Sequence, residues 1–252
     1  MLRSRLLVPL LVFSLLQSAL AGAVRAQNLE LLMIEYPPYT STTLADGGFT
    51  VALLQKTLHG SPFTVQLRSL PPARVQHTMS RTSGWDASLM PPAAEVSRQH
   101  LSNIALDNQG IRISLFRRQP TGDTQAFTWQ TFADLAPGSV AMTRSYTASP
   151  RVHALQEAGL EIMPIDELSQ AFAMLRRKRV DYVMAAEASG WYVLNQQGAQ
   201  AADYQFAEQD LLRVPNNLWI NLASPNGQAL RHYLVEQLSL PQLYPSVDSA
   251  QP

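Results

Sequence analysis

Hydrophobic and polar positions alternate between strand-like and helix-like patterns from about position 29 to position 240. Apolar runs with a period of two predict strands, and apolar residues spaced three and four apart predict helices. The predicted strands are 29–35, 63–67, 85–90, 111–116, 140–142, 161–165, 182–185, 204–206 and 218–222. The predicted helices are 48–58, 71–81, 131–135, 150–158, 167–177 (capped by Asp166), 189–196 and 224–240. Strands separated by helices favour an α/β protein with mainly parallel sheets.

Two stretches rich in polar and turn-forming residues, 119–125 and 210–216, interrupt this pattern. They divide the chain into two outer pieces, 27–117 and 213–252, and a middle piece, 118–212. Either the middle piece is a second domain inserted into the first, or the chain is one larger sheet with loops. Periodicity alone does not decide between them.

The segment 1–26 has the pattern of a secretory signal peptide. Arg3 and Arg5 precede an apolar run at 6–16, and small residues lead to Ala26. This run of about 11 residues is short for a spanning helix, which needs roughly 20. We therefore expect cleavage after about Ala26 and export to the periplasm. No cysteine follows the run, so we expect no lipid anchor.

The formal charge of zero is a sum over two unlike parts. The whole chain has 19 basic and 19 acidic side chains, and three of the basic ones lie within the segment 1–26, where no acid occurs. The segment 27–252 therefore carries 16 basic and 19 acidic groups, a net charge of −3. Mild acidity without a basic run argues against nucleic acid as a partner. We interpret the basic cluster at 176–179 as a solvated helix end.

Five stretches carry motifs that occur in the same order in a known family. They are 34–39 (IEYPPY), 46–49 (DGGF), 84–87 (GWDA) followed by 95–98 (EVSR), 132–140 (FADLAPGSV), and 179–183 (RVDYV) followed by Glu187. Together they resemble the bacterial extracellular solute-binding proteins of family 3, the polar amino-acid class that serves ABC importers. The resemblance implies a type II periplasmic-binding-protein fold with two lobes and a two-strand hinge. It also implies closure on a small polar ligand, an amino acid or related carboxylate, and delivery to an inner-membrane permease.

Three departures from the family pattern lie close to where a member would hold the ligand carboxylate. Ala52 stands where an acid often follows the helix-entry glycine. The Thr of the Thr-x-x-Arg element is missing unless Ser97 replaces it, and Ser102 and Asn103 stand in place of a Ser-x-Pro-Tyr element. These differences concern ligand specificity and leave the expected fold unchanged.

A free amino acid requires a receptor for its carboxylate and an acid for its ammonium group. Arg98 matches the family's arginine and is a candidate carboxylate clamp, and a surface loop arginine is the alternative. Arg144 is a second candidate, in a segment whose hydroxyls, Ser145 among them, lead into a helix N-terminus. Glu187 follows a predicted strand at the edge where open α/β sheets bind ligands, and a solvated helix-start acid is its alternative.

Three aromatic residues are candidates for the wall of the ligand site. Tyr36 and Tyr39 lie in a proline-rich loop, where burial in the core is not required. Trp85 lies inside a predicted strand, so burial in the core is its stronger interpretation.

The sequence lacks the motifs of the common enzyme classes. Its five histidines are isolated, and it contains neither His-Glu-x-x-His nor Gly-x-Ser-x-Gly nor a phosphate-binding glycine loop, so we expect no metal or cofactor. One enzymatic alternative comes from the resemblance, because some relatives are periplasmic cyclohexadienyl dehydratases. Glu187 would then be the acid. A third alternative is a sensory protein that signals to a membrane receptor. We expect the protein to be a monomer.

Overall fold

The computed structural model describes residues 27–122, 125–237 and 242–243. The predicted signal peptide and positions 238–240 of the final predicted helix lie outside the described residues. None of the helices in the described part of the chain has the length and hydrophobicity needed to cross a membrane.

The chain alternates strands and helices, as the hydrophobic pattern predicts. The strands are β1 (Gln27–Met33), β2 (Phe63–Ser69), β3 (Ala87–Ser88), β4 (Leu101–Ala105), β5 (Ile111–Arg118), β6 (Ser139–Thr143), β7 (Glu161–Ile165), β8 (Tyr182–Ala186), β9 (Tyr204–Phe206), β10 (Leu212–Val214), β11 (Asn217–Asn221) and β12 (Gln242–Leu243). The α-helices are α1 (Phe49–Thr57), α2 (Pro72–Met79), α3 (Pro150–Glu157), α4 (Leu168–Arg176), α5 (Glu187–Gln196) and α6 (Pro225–His232). Short 3-10 helices cover Phe132–Leu135, Arg144–Tyr146 and Ala201–Asp203, and a π-helix covers Tyr233–Gln237.

The strands form two separate mixed sheets. The first has the order β12-β4-β11-β3-β1-β2, in which β1 is parallel to β2 and β3. The second has the order β10-β5-β8-β6-β7, with β9 also paired to β5, and β6 is parallel to β7 and β8. The other pairings are antiparallel. We call each sheet with its helices a lobe, the first built on β1 and the second on β6.

The chain passes between the two sheets twice, at 106–110 and at 215–216. The predicted division of the chain into 27–117, 118–212 and 213–252 puts the expected two-strand hinge near positions 117 and 213. Both positions lie inside strands of the second sheet, because β5 pairs with β8 and β10 pairs with β5. The first crossing therefore precedes β5, whereas the sequence pattern places it at the end of that strand.

Asp107 ties the two crossings together. Its carboxylate accepts hydrogen bonds from the backbone N–H of Gln109 (2.9 Å) and Gly110 (2.7 Å), which fold the first crossing into a turn. The side chain of Asn216, on the second crossing, donates to the other oxygen of Asp107 at 2.9 Å. Thr50 on α1 in turn donates to Asn216 at 3.2 Å. Hydrogen bonds thus join the two crossings to each other and to α1 of the first lobe, as expected of a hinge.

Apolar clusters cover both faces of each sheet. In the first lobe, one face packs Leu32, Trp85 and Trp219 against α2, and the other packs Leu31 and Ile220 against α1 and α6. In the second lobe, the two clusters are built around β5, β6 and β8 with α3 on one side and α4 and α5 on the other.

Local differences from the predicted elements have identifiable causes. Strand β4 is absent from the sequence prediction because the polar pair Ser102 and Asn103 interrupts its apolar run, yet both are buried between β11 and β12. Phe49 falls on the apolar face of the helix predicted at 48–58, yet its side chain is 63% exposed, and Thr50 and Val51 are buried instead. Asp166 does not cap α4: Glu167 is the N-cap residue there, without a side-chain capping bond.

Candidate functional site

The C-terminal ends of the parallel strands define one edge of each sheet, and in open α/β sheets this edge is where ligands bind. In the first lobe the loop after β1 lies at this edge. In the second lobe the edge carries the 3-10 helix Arg144–Tyr146 after β6 and the N-terminus of α5 after β8. The two crossings lie at the same edges, so the loops of the two lobes face one another across a cleft.

The loop after β1 is held rigidly on the start of α1. Tyr36 N–H donates to the carbonyl of Thr40 at 2.7 Å, which closes a tight turn. The first N–H groups of α1, those of Phe49 and Thr50, donate to the carbonyls of Pro38 and Tyr39, each at 2.9 Å. Gly48 permits this contact, since its φ is +97° and a Cβ there would lie 2.5 Å from the carbonyl oxygen of Tyr39. These backbone contacts hold Tyr36 and Tyr39 at the cleft.

Side-chain hydrogen bonds join the lobes across the cleft. The hydroxyls of Tyr36 and Tyr146 are 3.0 Å apart, and Ser189 Oγ donates to the carbonyl of Pro37 at 2.7 Å. Tyr36 stacks on Tyr39 with ring centroids 5.5 Å apart and planes at 20°. Both rings also pack against the apolar cluster of the second lobe. The lobes are thus in contact through a set of tyrosines.

These tyrosines remain neutral at ordinary pH. Burial raises the pKa of the Tyr36 hydroxyl well above its usual value, and the neighbouring Tyr146 raises it further. Burial likewise raises the pKa of Tyr146. For Tyr39 burial again raises the pKa, a hydrogen bond from the backbone of Ala188 opposes the shift, and the charge of Glu187 adds to it. The cleft therefore presents neutral hydroxyls that can donate or accept a hydrogen bond.

Glu187 lies at this cleft but already has a cationic partner. Arg112 Nη1 lies 2.9 Å from Glu187 Oε2, and Arg112 Nε lies 2.8 Å from Asp210 Oδ1. Arg213 pairs with the other oxygen of Asp210. The side chain of Glu187 is 36% exposed, so a ligand ammonium can reach it only in competition with Arg112.

The four other predicted site residues are Arg144 and Ser145 on the second lobe and Arg98 and Trp85 on the first. Arg144 pairs with Asp166 at 2.7 Å, and both side chains are mostly exposed. Ser145 Oγ lies 3.1 Å from Thr143 Oγ1 and remains accessible at the end of β6.

The guanidinium of Arg98 lies over the ring of Trp219, 5.6 Å from its centroid. Trp85 is 2% exposed and donates its indole N–H to the carbonyl of Arg81, so its ring belongs to the core of the first lobe. The structure therefore does not present Trp85 as a wall of the cleft.

Sequence reasoning missed several residues of the cleft. Glu35, shortly after β1, has an exposed carboxylate that accepts hydrogen bonds from Ser69 Oγ and Thr42 Oγ1, both at 2.8 Å. Burial raises the pKa of Glu35, but the hydrogen bonds from Ser41, Thr42 and Ser69 outweigh it and keep the pKa below its usual value. Tyr146 and Ser189 were also missed. All three lie at or shortly after the end of a predicted strand, and this position is the feature of the sequence that could have identified them.

The ion pairs around Arg112 lead to a pH-dependent prediction. Partial burial raises the pKa of Asp210, hydrogen bonds from Arg112 and Arg213 lower it more, and the folded-state pKa is below the usual value. The ion pairs of Asp210 therefore stabilise the folded protein above about pH 4. This stabilisation is lost as the pH falls through the lowered pKa of Asp210. Arg112→Leu is expected to lower the free energy of unfolding by about 1–2 kcal/mol at pH 6 and by clearly less at pH 3, measured by urea denaturation.

Arg68→Leu is the matched control for that measurement. Its ion pair with Glu30 is on the surface, with side chains 44% and 36% exposed. Its loss is expected to cost under about 0.5 kcal/mol. An equal effect of the two substitutions, or a gap between wild type and Arg112→Leu that stays constant from pH 6 to pH 3, would contradict the assigned role.

A separate cavity of about 640 Å³ opens in the second lobe, lined by residues that include Arg118, Arg176 and Asp203. None of the predicted site residues lines it. Within the described residues, no group of three or more His, Asp or Glu side chains is arranged to hold a metal ion.

Comparison with known proteins agrees with this architecture at the level of fold. No family model matches the chain, and no curated protein matches it in sequence. Among solved structures, the GluR0 ligand-binding core in complex with L-glutamate is similar at 16% identity and a TM-score of 0.62, over 86% of this chain and 94% of that one. An ancestral arginine-binding protein bound to arginine is similar at 16% identity and a TM-score of 0.59, over 84% and 92% of the two chains.

The L-cystine solute receptor of Neisseria gonorrhoeae, unliganded and open, is similar at 15% identity and a TM-score of 0.55, over 86% and 89% of the two chains. The two helix-flanked sheets, joined by two crossings, thus form a two-lobed α/β fold of the periplasmic-binding-protein type. The fold class expected from the sequence is confirmed.

Proposed function

We propose that this protein is an exported solute-binding protein of the polar amino-acid type, which closes its two lobes on an amino acid or related carboxylate. The observation that carries the proposal is the pair of hydrogen bonds across the cleft, Tyr36 to Tyr146 and Ser189 to Pro37. They connect the ligand-binding edges of two sheets that are linked by only two short crossings. Such an arrangement opens and closes about the crossings, and a ligand that contacts both lobes favours the closed state.

The similar structures support an amino-acid ligand. They include complexes with L-glutamate and arginine and a receptor for L-cystine. The cleft of this protein contains neutral hydroxyls and the carboxylate of Glu187. We propose that Glu35 and the exposed Arg98, both on the first lobe, complete a set of groups that suits a small zwitterion. We further propose that the sequence before position 27 directs export to the periplasm and that a monomer delivers its ligand to an inner-membrane ABC importer.

A receptor role is the second candidate, because the fold is shared with the GluR0 ligand-binding core. The genes beside this one distinguish the two: permease and ATPase genes favour import, and a receptor kinase or cyclase gene favours signalling. The dehydratase alternative is less consistent with the site. The guanidinium of Arg112 lies 2.9 Å from Glu187 Oε2, so Glu187 would have to leave this ion pair to reach a substrate hydroxyl.

A thermal-shift panel tests the proposed function. The protein, purified after export from its full-length gene, is heated with each of the common amino acids, with dicarboxylic acids and with polyamines. A ligand at 100 times its Kd stabilises the protein by about 2.7 kcal/mol. That corresponds to a rise in melting temperature of roughly 5–10 °C for a chain of this size. If no amino acid raises the melting temperature, the proposed ligand class is contradicted, whether or not a compound of another class raises it.

A further inference from the structure

Unpaired cations gather at one end of the second lobe. Arg118 is the last residue of β5, Arg176 is the last residue of α4, and Arg177, Lys178 and Arg179 follow that helix. Within the part of the chain that the structure describes, none of these side chains forms an ion pair or a hydrogen bond. The segment 27–252 has a net charge of −3, so this local excess of positive charge runs against the charge of the whole.

The end of α4 explains only part of this cluster. The N–H of Lys178 donates to the carbonyl of Leu175 at 3.1 Å, and that of Arg179 donates to Met174 at 2.9 Å, so the backbone itself caps the helix. Cations are favoured near a helix C-terminus, which suits the cations at 176–179. The same effect does not account for Arg118, which belongs to a strand.

A cavity of about 640 Å³ lies where Arg118 and Arg176 meet. Both arginines line it, together with the segments 119–122, 198–200 and 202–204. Its volume is within the range of small-molecule sites, roughly 300–1,000 Å³. Arg118 is half-buried, and a cation that loses part of its hydration without gaining a partner is costly. An anion in the cavity would supply that partner.

This cavity is at the opposite end of the second sheet from the cleft. Arg117 pairs with Tyr182, the first residue of β8, so Arg118 lies beyond the N-terminal end of that strand. Glu187 directly follows the C-terminal end of the same strand. The length of β8 separates the two places by about 13 Å. A ligand in this cavity is therefore distinct from the solute that the lobes enclose.

We propose that this cavity is a second binding site, which takes the phosphate group of a small molecule or of a lipid headgroup between Arg118 and Arg176. A guanidinium donates paired hydrogen bonds that match the oxygens of a phosphate, and two guanidinium groups match the charge of a phosphate dianion. The cations at 177–179 add a positive field that attracts the anion. Asp203 also lines the cavity, and its negative charge opposes the anion and limits its affinity.

Two binding measurements in phosphate-free buffer test the proposal and identify the source of the phosphate. Isothermal titration uses inorganic phosphate and glycerol 3-phosphate as soluble probes. Cosedimentation uses vesicles of phosphatidylcholine with phosphatidylglycerol, compared with vesicles of phosphatidylcholine alone. Saturable binding of one soluble molecule per protein supports a free ligand, and binding to the anionic vesicles alone supports a lipid headgroup.

Variants of the lining residues show whether the cavity is the site. Arg118→Gln and Arg176→Gln are each expected to weaken binding by about tenfold or more. Asp203→Asn removes the opposing charge and is expected to tighten binding by about threefold. Ala202→Trp, at an exposed position of the lining, fills the cavity without changing the charge and is expected to weaken binding by about tenfold or more. Arg151→Gln, at an exposed position on α3, is the control that leaves binding unchanged.

The other outcomes overturn the proposal. If wild type binds neither the soluble phosphates nor the anionic vesicles, the cavity is not a phosphate site. If Ala202→Trp binds as well as wild type, the attraction is a diffuse effect of the basic surface. Equal losses in Arg118→Gln and the control Arg151→Gln have the same meaning. If the arginine variants melt more than about 5 °C below wild type, the opposite changes expected of Asp203→Asn and Ala202→Trp decide instead.

Discussion

Substitution of Arg98 by Gln is expected to weaken amino-acid binding by about 100-fold, a loss of about 2.7 kcal/mol. Arginine binds a carboxylate through two charge-assisted hydrogen bonds, and glutamine retains neither the charge nor the paired geometry. Arg98 is the expected clamp because it is exposed over Trp219 without a carboxylate partner among the described residues. The measurement is isothermal titration with the amino acid that raises the melting temperature most.

Two arginines serve as controls for this loss. Arg74→Gln changes an exposed position on α2 and is expected to leave affinity unchanged. Arg144→Gln is expected to change affinity less than threefold, under about 0.7 kcal/mol, because Arg144 is neutralised by Asp166. If Arg144→Gln shows the large loss and Arg98→Gln does not, the carboxylate is bound from the second lobe and our assignment is wrong.

Substitution of Phe116 by Ala is expected to lower the free energy of unfolding by about 4 kcal/mol. Phe116 on β5 is 0% exposed and lies at the centre of an aromatic group, with ring centroids 5.2 Å from Phe172, 5.1 Å from Trp191 and 4.8 Å from Phe206. Its removal leaves a cavity that these neighbours cannot fill. Urea denaturation, followed by tryptophan fluorescence and circular dichroism, measures the loss.

A double-mutant cycle with Gly190 tests whether this packing is as close as the structure shows. A Cβ at Gly190 on α5 would lie 2.3 Å from the ring of Phe116, so Gly190→Ala alone is expected to cost about 2 kcal/mol. In the Phe116→Ala background that clash is absent, and the added methyl group occupies part of the cavity. The double variant is therefore expected to be more stable than the sum of the single effects by at least about 1 kcal/mol. If the destabilising effects of the two single substitutions simply add, the close contact between Gly190 and Phe116 is contradicted.

The sequence predicts most of the fold because its elements have clear periodicity and terminators. Pro150 opens α3, Pro225 opens α6, and the apolar runs of β1, β6 and β8 stand close to their predicted limits. The predicted hinge is displaced because the strand pattern of β5 suits either lobe equally well. Its partner β8 follows only after β6, β7 and their helices, and local pattern carries no information on such distant pairing.

The candidate site was less accessible to sequence reasoning because its geometry depends on partners distant in the chain. Residue type indicates that Glu187 can bind an ammonium group, but it does not show that Arg112, far earlier in the chain, already lies against that acid. Tyr36 and Tyr39 are predicted from a proline-rich loop, and the structure places both at the cleft.

The central claim is that the two lobes close on an amino acid, and a distance measurement between the lobes tests it most directly. The chain contains no cysteine, so Lys56→Cys on α1 and Arg151→Cys on α3, both exposed, introduce two unique sites for spin labels. Double electron–electron resonance is recorded with and without a saturating amount of the amino acid that binds. We expect a broad distribution that includes long distances without ligand and a single shorter, narrower one with it. Identical distributions in the two samples would contradict closure and with it the proposed function.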